Sequence, residues 1–219
     1  MALQECVDQK YIGFRHPFTC ICVGPTCSGK TQYIAKLIQH KDAVITPNVT
    51  RVIYSYKKYQ PLFDTMPNVE FVQGLNFTLD KTIPTLLVID DQMGDCDSKL
   101  TELFTVCAHH ENCSILFVSQ VLFYQDKAYR TACQNAMYLI LFRSPRCKAQ
   151  IGLLARQMFP PGKATKMLKA FDDATSKPFC NLIVDLKPDT PELLRLKSNI
   201  LPDEGDVFQK AKLAHTYIL

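Results

Sequence analysis

The stretch that decides the fold runs from Phe18 to Thr31 and reads FTCICVGPTCSGKT. Its first part, Phe18 to Gly24, is a short apolar run, rich in β-forming residues, that ends on a glycine. The residues that follow the loop, KTQYIAKLIQH from Lys30 to His40, repeat apolar side chains at helical spacing. This order predicts a buried strand, a tight loop and a helix.

The loop between that strand and that helix reads GPTCSGKT and matches the pattern Gly-x-x-x-x-Gly-Lys-Ser/Thr at every fixed position. The two glycines of the pattern let the backbone bend so that successive amides point at a phosphate. The lysine, Lys30, reaches the β- and γ-phosphates, and the hydroxyl of Thr31 ligates magnesium. The sequence therefore predicts a P-loop nucleoside triphosphatase that binds ATP and Mg²⁺. The residues predicted to hold the phosphates are Gly24, Pro25, Thr26, Cys27, Ser28, Gly29, Lys30 and Thr31.

A second nucleotide motif lies downstream, in the stretch TLLVIDDQM that starts at Thr85. Asp90 ends a run of apolar residues, where its carboxylate is placed to hold the magnesium ion. Asp91 follows directly, and we expect it to polarise the water that attacks the γ-phosphate. The alternative is that Asp91 only begins the following loop. Two acids in tandem favour hydrolysis by water over transfer to a second substrate.

Two further residues are candidates for sensing and neutralising the γ-phosphate. Gln120 ends the next apolar run, CSILFVSQ, and we expect it to sense the γ-phosphate; the alternative is an ordinary polar residue at a strand end. Hydrolysis also needs a cation, which a neighbouring subunit can supply as an arginine. Arg130 is the first choice for that role, against the alternative of a surface arginine. Arg143 and Arg146 are second choices, and either could contact DNA instead.

Apolar runs alternate with stretches of helical period along most of the chain. The runs are apolar at nearly every position, which indicates strands buried on both faces of a mainly parallel sheet. The sequence predicts an α/β fold of three layers, with an additional strand between the strands that carry the two nucleotide motifs. We assign residues 1–17 to an N-terminal segment, 18–201 to the ATPase domain and 202–219 to a C-terminal tail. The predicted strands after the first are residues 51–56, 69–72, 85–90, 113–120, 137–142 and 179–186, and the predicted helices after the first are 98–110, 126–135, 147–157 and 163–176.

The composition is that of an ordinary globular protein, and it argues against a membrane-spanning chain and a CxxC-type metal site. Its 219 residues are 47% hydrophobic and 21% charged, and we expect no membrane span. The ten cysteines are spread along the chain without a CxxC pair. We interpret five of them as small apolar residues in a reducing compartment: Cys20, Cys22, Cys107, Cys113 and Cys180. A net charge of +4 permits contact with nucleic acid without demanding it.

Read together, the motifs resemble the genome-packaging ATPases of the FtsK–HerA superfamily, in particular those of double-stranded DNA viruses and of Polinton (Maverick) and adintovirus elements. The stretches that carry this resemblance are GPTCSGKT, LLVIDDQM, LFTVCAHHENCSILFVSQVLF, RTACQNAMYLILFRSPR, LARQMFP and FCNLIVDLKPDTPELLRLKSNI. Two positions depart from the family pattern. Cys27 stands where glycine or another small residue is expected, and Asp91 stands where glutamate is the commoner base.

The resemblance implies a motor that assembles as a ring, a pentamer or a hexamer, and hydrolyses ATP at subunit interfaces. Such a motor pushes double-stranded DNA into a preformed viral capsid, which it meets at a capsid vertex. It would act in the host cytoplasm or nucleus where virions assemble, with the virion itself as a further location. By the same resemblance Arg130 matches an arginine that precedes an Asn-Ala pair.

Three other functions compete with packaging. A helicase or another DNA translocase of the same superfamily would use the same residues for a different purpose. A P-loop kinase of small molecules would need an arginine-rich lid, which the sequence does not show. A scaffold that binds nucleotide without hydrolysing it is disfavoured by the intact set of Lys30, Thr31, Asp90 and Asp91.

Overall fold

The computed structural model of the chain describes residues 11–90, 97–107, 111–146, 148–202 and 215–217. Within them the strands are β1 (Phe14–Arg15), β2 (Thr19–Val23), β3 (Ile45–Thr46), β4 (Arg51–Tyr56), β5 (Glu70–Gln73), β6 (Thr85–Asp90), β7 (Cys113–Ser119), β8 (Tyr138–Phe142), β9 (Asn181–Asp185), β10 (Leu196–Ser198) and β11 (His215–Thr216). The α-helices are α1 (Lys30–Gln39), α2 (Lys41–Val44), α3 (Asp97–Glu102), α4 (Lys127–Gln134), α5 (Lys148–Met158) and α6 (Pro161–Ala174). A π-helical turn, Leu103–Cys107, continues α3. The predicted helix at 98–110 is therefore α-helical over 98–102 and π-helical over 103–107, and residues 108–110 lie outside the described residues.

The main sheet has nine strands among the described residues, in the order β11-β10-β9-β8-β2-β7-β6-β4-β5. The six strands from β8 to β5 are parallel to one another, whereas β9, β10 and β11 each run antiparallel to the strand before them. The mainly parallel sheet is therefore confirmed. Strand β7 lies between β2 and β6, and it is the additional strand that the sequence predicts.

Helices cover both faces of this sheet, as the apolar strands require. Alternate residues of β2 point to opposite sides, so that Ile21 packs in one core and Cys22 in the other. The core on the Cys22 side is closed by α1, and the core on the Ile21 side by α3, α4, α5 and α6. The three-layer α/β fold is confirmed. None of the helices in the described ranges combines the length and the apolar character that crossing a bilayer requires.

A buried ion pair joins the antiparallel strands β9 and β10. The ammonium of Lys197 donates to the carboxylate of Asp185 over 2.9 Å, and these two side chains are 3% and 0% exposed. Burial lowers the pKa of Lys197 below its ordinary value, although Asp185 opposes that shift. A charge buried this deeply depends on its partner, because an unpaired buried ion is strongly destabilising.

His16 connects the segment before β2 to the start of β7. One ring nitrogen lies 2.6 Å from the hydroxyl of Ser114, and the other lies 2.9 Å from the side-chain oxygen of Asn112. The neutral ring fits these partners, since it can accept from the hydroxyl and donate to the amide oxygen. Burial, and secondarily the charge of Lys187, lowers the pKa of His16, whereas the bond to Asn112 opposes the shift.

Candidate nucleotide-binding site

The predicted phosphate loop connects β2 to α1 and is shaped by its glycines. Gly29 caps the amino end of α1 at φ +94°, a left-handed conformation that glycine adopts without steric cost. A Cβ atom on Gly24 would lie 2.7 Å from the Cβ of Phe142 on β8, so only glycine fits there. The amide of Gly24 donates to the carbonyl of Ser119, at 3.2 Å, which fastens the start of the loop to β7.

Cys27 lies at the outer bend of this loop, with its side chain exposed and its backbone at φ +63°. This conformation disfavours residues that carry a Cβ. The family pattern has glycine or another small residue at this position, and glycine would adopt this backbone conformation with the least strain.

Lys30 folds back into the loop that precedes it. Its ammonium donates to the carbonyl of Gly24 over 2.6 Å and to that of Pro25 over 2.8 Å. The first turn of α1, which begins at Lys30, contains no acidic residue. No carboxylate of that turn therefore offsets the positive end of the helix dipole, which faces the loop. The arrangement concentrates positive charge and backbone amides at one place, which is what binding a phosphate chain requires.

Asp90 ends β6 and is buried, with 6% of its surface exposed. Its carboxylate accepts a hydrogen bond of 2.8 Å from the hydroxyl of Tyr54, a residue of β4 that is fully buried. Sequence reasoning missed Tyr54. Its contact with Asp90 depends on the register of β4 and β6, which the residue types do not reveal.

Lys30 and Asp90 meet at the same edge of the sheet. Lys30 donates to the carbonyl of Gly24, which directly follows β2, and Asp90 ends β6, which runs parallel to β2 with β7 between them. Neighbouring strands lie about 4.8 Å apart, so the two charges converge at the carboxyl ends of these strands. Burial raises the pKa of the Cys22 thiol on β2, the positive charge of Lys30 opposes that rise, and the negative charge of Asp90 adds to it. The structure brings together the predicted lysine and the first predicted acid, whereas Asp91 lies outside the described residues.

Gln120 is exposed at the end of β7, beside the strand that leads into the phosphate loop. The preceding residue, Ser119, is buried and pairs with Val23 of β2; its hydroxyl accepts from Tyr129 at 3.0 Å and donates to the carbonyl of Val121 at 2.8 Å. Of the two polar residues at this strand end, Ser119 uses its hydroxyl in local hydrogen bonds. Gln120 is the one that the strand presents at the carboxyl edge of the sheet.

The three candidate arginines are all exposed. Arg130 lies in the first half of α4, whose amino end is capped by the side chain of Asp126, and its guanidinium donates weakly to the carbonyl of Gln125, over 3.4 Å. Arg143 directly follows β8 and donates to the carbonyl of Ser176, also over 3.4 Å. None of the described contacts joins them to Lys30 or Asp90.

The described residues fit a magnesium-bound triphosphate. Within them the hydroxyl of Ser28 is buried in the loop with no hydrogen-bond partner from the chain, and a phosphate oxygen would satisfy it. The hydroxyl of Thr31 and the carboxylate of Asp90 are the hard oxygen donors that Mg²⁺ prefers. No group of three or more His, Cys, Asp or Glu side chains in the described part of the chain could hold a metal ion by itself.

Comparison with solved structures finds the same fold in the genome packaging NTPase B204 of Sulfolobus turreted icosahedral virus 2. The complex of B204 with sulfate superimposes with a TM-score of 0.52 at 16% sequence identity, over 83% of this chain and 95% of B204. Its complex with ATP-gammaS gives a TM-score of 0.51 at 18% identity, over 83% of this chain and 96% of B204. Neither a protein-family model nor a curated protein sequence matches the chain. At this level of identity the likeness establishes the fold, that of a P-loop NTPase with a mostly parallel sheet.

Proposed function

We propose that this chain is an ATP-hydrolysing motor that moves viral double-stranded DNA into a preformed capsid. The observation that carries the proposal is that Lys30, which folds onto the loop after β2, and Asp90, which ends β6, meet at one edge of the sheet, with β7 inserted between β2 and β6. That arrangement supports a hydrolytic P-loop site. The packaging role is supported by the fold, which is that of B204, a genome packaging NTPase solved with ATP-gammaS and with AMPPCP.

Each candidate residue has a stated part in this reaction. The loop amides and Lys30 bind the β- and γ-phosphates and neutralise charge that develops between them. Thr31 and Asp90 would hold the magnesium ion, which, when bound, withdraws charge from the phosphate oxygens. Asp91 orients and deprotonates the attacking water, and Gln120 contacts the γ-phosphate.

The ring that the motif resemblance implies gives Arg130 its role. In a pentamer or hexamer, the exposed guanidinium on α4 would reach the γ-phosphate bound by the neighbouring subunit. The assembled ring would surround the DNA at a capsid vertex, at sites of virion assembly in the host cytoplasm or nucleus.

The first test is ATP hydrolysis by the purified chain with and without double-stranded DNA. We expect turnover that DNA stimulates, that Lys30→Ala and Asp91→Asn abolish, and that the exposed control Lys166→Ala leaves unchanged. DNA binding should weaken steeply as salt rises, because phosphate contacts release counterions. Hydrolysis that ignores DNA at every salt concentration would contradict the motor function.

A second test distinguishes DNA packaging from the helicase and kinase functions by the product of each reaction. We expect the chain, mixed with empty capsids of its own virus, to make added DNA resistant to nuclease in an ATP-dependent manner. Strand separation without such protection would favour a helicase, and appearance of a phosphorylated nucleoside would favour a kinase.

A further inference from the structure

Phe179 lies at the phosphate loop with an exposed ring and a strained backbone. It directly precedes the segment that enters β9, its surface is 62% exposed, and its backbone is at φ +66°. Its ring lies against the amino end of α1, because a Cβ atom on Gly29 would come within 2.9 Å of the Phe179 ring. A bulky residue that is largely exposed and has a left-handed backbone is uncommon, and strain of this kind is typical of functional positions.

A cavity of about 760 Å³ opens beside this ring. One wall is the start of α1, including Gln32 and Tyr33, and another is the end of α6 with the turn that carries Phe179. The remaining wall comes from residues 198–202 after β10 and from Tyr217. The volume falls within the range of about 300–1,000 Å³ that small-molecule sites occupy.

The order of strands gives this cavity its place relative to the phosphates. Asp90, the predicted magnesium ligand, ends β6, and Gln120, the predicted γ-phosphate sensor, directly follows β7; both strands lie on one side of β2. The cavity lies among segments attached to β9, β10 and β11, on the other side of β2. A nucleotide whose phosphates occupy the loop with the γ-phosphate toward β7 must direct its nucleoside the opposite way, toward Phe179.

The walls of the cavity offer the contacts that a nucleoside uses. The exposed ring supplies a stacking face, and Lys36 and Lys177, which also line the cavity, supply cationic donors. The hydroxyl of Tyr217 donates to Asp173 over 2.8 Å, which ties the last described segment to the end of α6. The lining of the cavity thus combines an exposed aromatic ring with cationic and hydroxyl groups.

We propose that this cavity binds the base and ribose of the nucleotide, with the base stacked on Phe179. The inference rests on the proposed function, since it takes the phosphate loop to hold a nucleoside triphosphate. It adds a second, separable source of affinity: the loop binds the phosphates, and Phe179 binds the base. Stacking on an aromatic ring accepts any base, so Phe179 sets affinity more than it selects among bases.

The test compares two probes on the same variants, by competition against a fluorescent ATP analogue. ATP carries a base, and inorganic tripolyphosphate does not. Phe179→Ala is expected to weaken ATP binding by about 5- to 150-fold, the range that loss of one base stack produces. It should leave tripolyphosphate binding unchanged, and Phe179→Tyr should restore ATP binding. Leu193→Ala, which removes an apolar side chain that is 49% exposed and lies outside the cavity, is the matched control.

Phe179→Gly guards against a folding artefact, because glycine accepts φ +66° and the variant should melt no lower than the parent. Its ATP affinity should fall as far as that of Phe179→Ala. Unchanged ATP affinity in both variants would overturn the base site while leaving the phosphate loop intact. Loss of tripolyphosphate binding along with ATP would also overturn it, since the ring would then only support the loop. If instead Lys30→Ala left tripolyphosphate binding unchanged, the proposed phosphate site itself would be wrong.

Discussion

Replacing Tyr54 by phenylalanine tests whether a hydrogen bond positions Asp90 for its metal. The substitution removes the hydroxyl that donates to Asp90 over 2.8 Å and keeps the ring, which packs on Phe63 at 5.0 Å and Phe71 at 5.7 Å between centroids. Both partners are buried, and a hydrogen bond to a charged group contributes about 1.5–3 kcal/mol. For a chain of this size each kcal/mol shifts the melting temperature by about 2–4 °C. We therefore expect Tyr54→Phe to melt about 3–12 °C lower than the parent.

The second expectation for Tyr54→Phe concerns magnesium. Losing a group that orients a metal ligand weakens metal binding about 10- to 100-fold, so the Mg²⁺ concentration for half-maximal nucleotide binding should rise accordingly. Tyr59→Phe is the control, since that hydroxyl also donates to an aspartate, Asp64, but in an exposed position. Equal magnesium titrations for Tyr54→Phe and the parent would refute the positioning role. A lowered melting temperature alone would then leave the bond a purely structural one.

Four further predictions follow from features of the loop, the sheet and the surface. Burial lowers the pKa of His16, so the imidazole binds a proton more readily in the unfolded chain than in the folded one. The free energy of unfolding, measured with urea, should therefore fall as pH drops below about 6.5, and His16→Gln should reduce that fall. Lys197→Met should cost about 3–5 kcal/mol in the same assay by leaving Asp185 unpaired, and adding Asp185→Asn should recover most of it. Cys27→Gly should keep nucleotide affinity and melt no lower than the parent, whereas Cys27→Val should lose both, since φ +63° excludes a β-branched residue. Arg130→Ala should bind ATP without turning it over and regain partial turnover when mixed with Lys30→Ala subunits; failure of that mixing would exclude a role across the interface.

The sequence predicts much of the fold because its strands carry a strong local signal. The runs that became β2, β6 and β7 are apolar at nearly every position, which only a sheet covered on both faces can accommodate. The phosphate loop was predictable for a different reason. A chain that bends around a phosphate needs glycine at fixed positions, and the sequence has glycine at those positions. The domain boundaries at residues 17 and 202 stay predictions.

The direction of β9 did not follow from its composition, because parallel and antiparallel strands buried on both faces look alike. The clue lies in the connection. One helix between two strands returns the chain to its starting edge, whereas β8 is followed by two helices, α5 and α6, which pack on each other before β9 begins. A second helix reverses the chain once more, so β9 starts at the edge where the parallel strands end. Counting the helices would have predicted the reversal.

Tyr54 and Phe179 escaped prediction because their contacts join segments that are distant in sequence. Tyr54 meets Asp90 only through the register of β4 and β6, and Phe179 meets Gly29 only because β9 is reversed. Nothing in the residues around either position distinguishes it from an ordinary core or surface aromatic. The roles of Asp91, Gln120 and Arg130 remain predictions from the sequence.

The edge strand β11 bears on how fast a spent nucleotide can leave. It spans two residues, His215–Thr216, and Tyr217, which follows it, lines the cavity beside Phe179. So short a strand at the margin of a sheet is fastened by few backbone hydrogen bonds, and such elements detach at a small fraction of the free energy of global unfolding. Each detachment would lift Tyr217 from Asp173 and open one wall of the cavity. If the cavity holds the nucleoside as proposed, the lifetime of that wall limits how fast a spent nucleotide leaves the site.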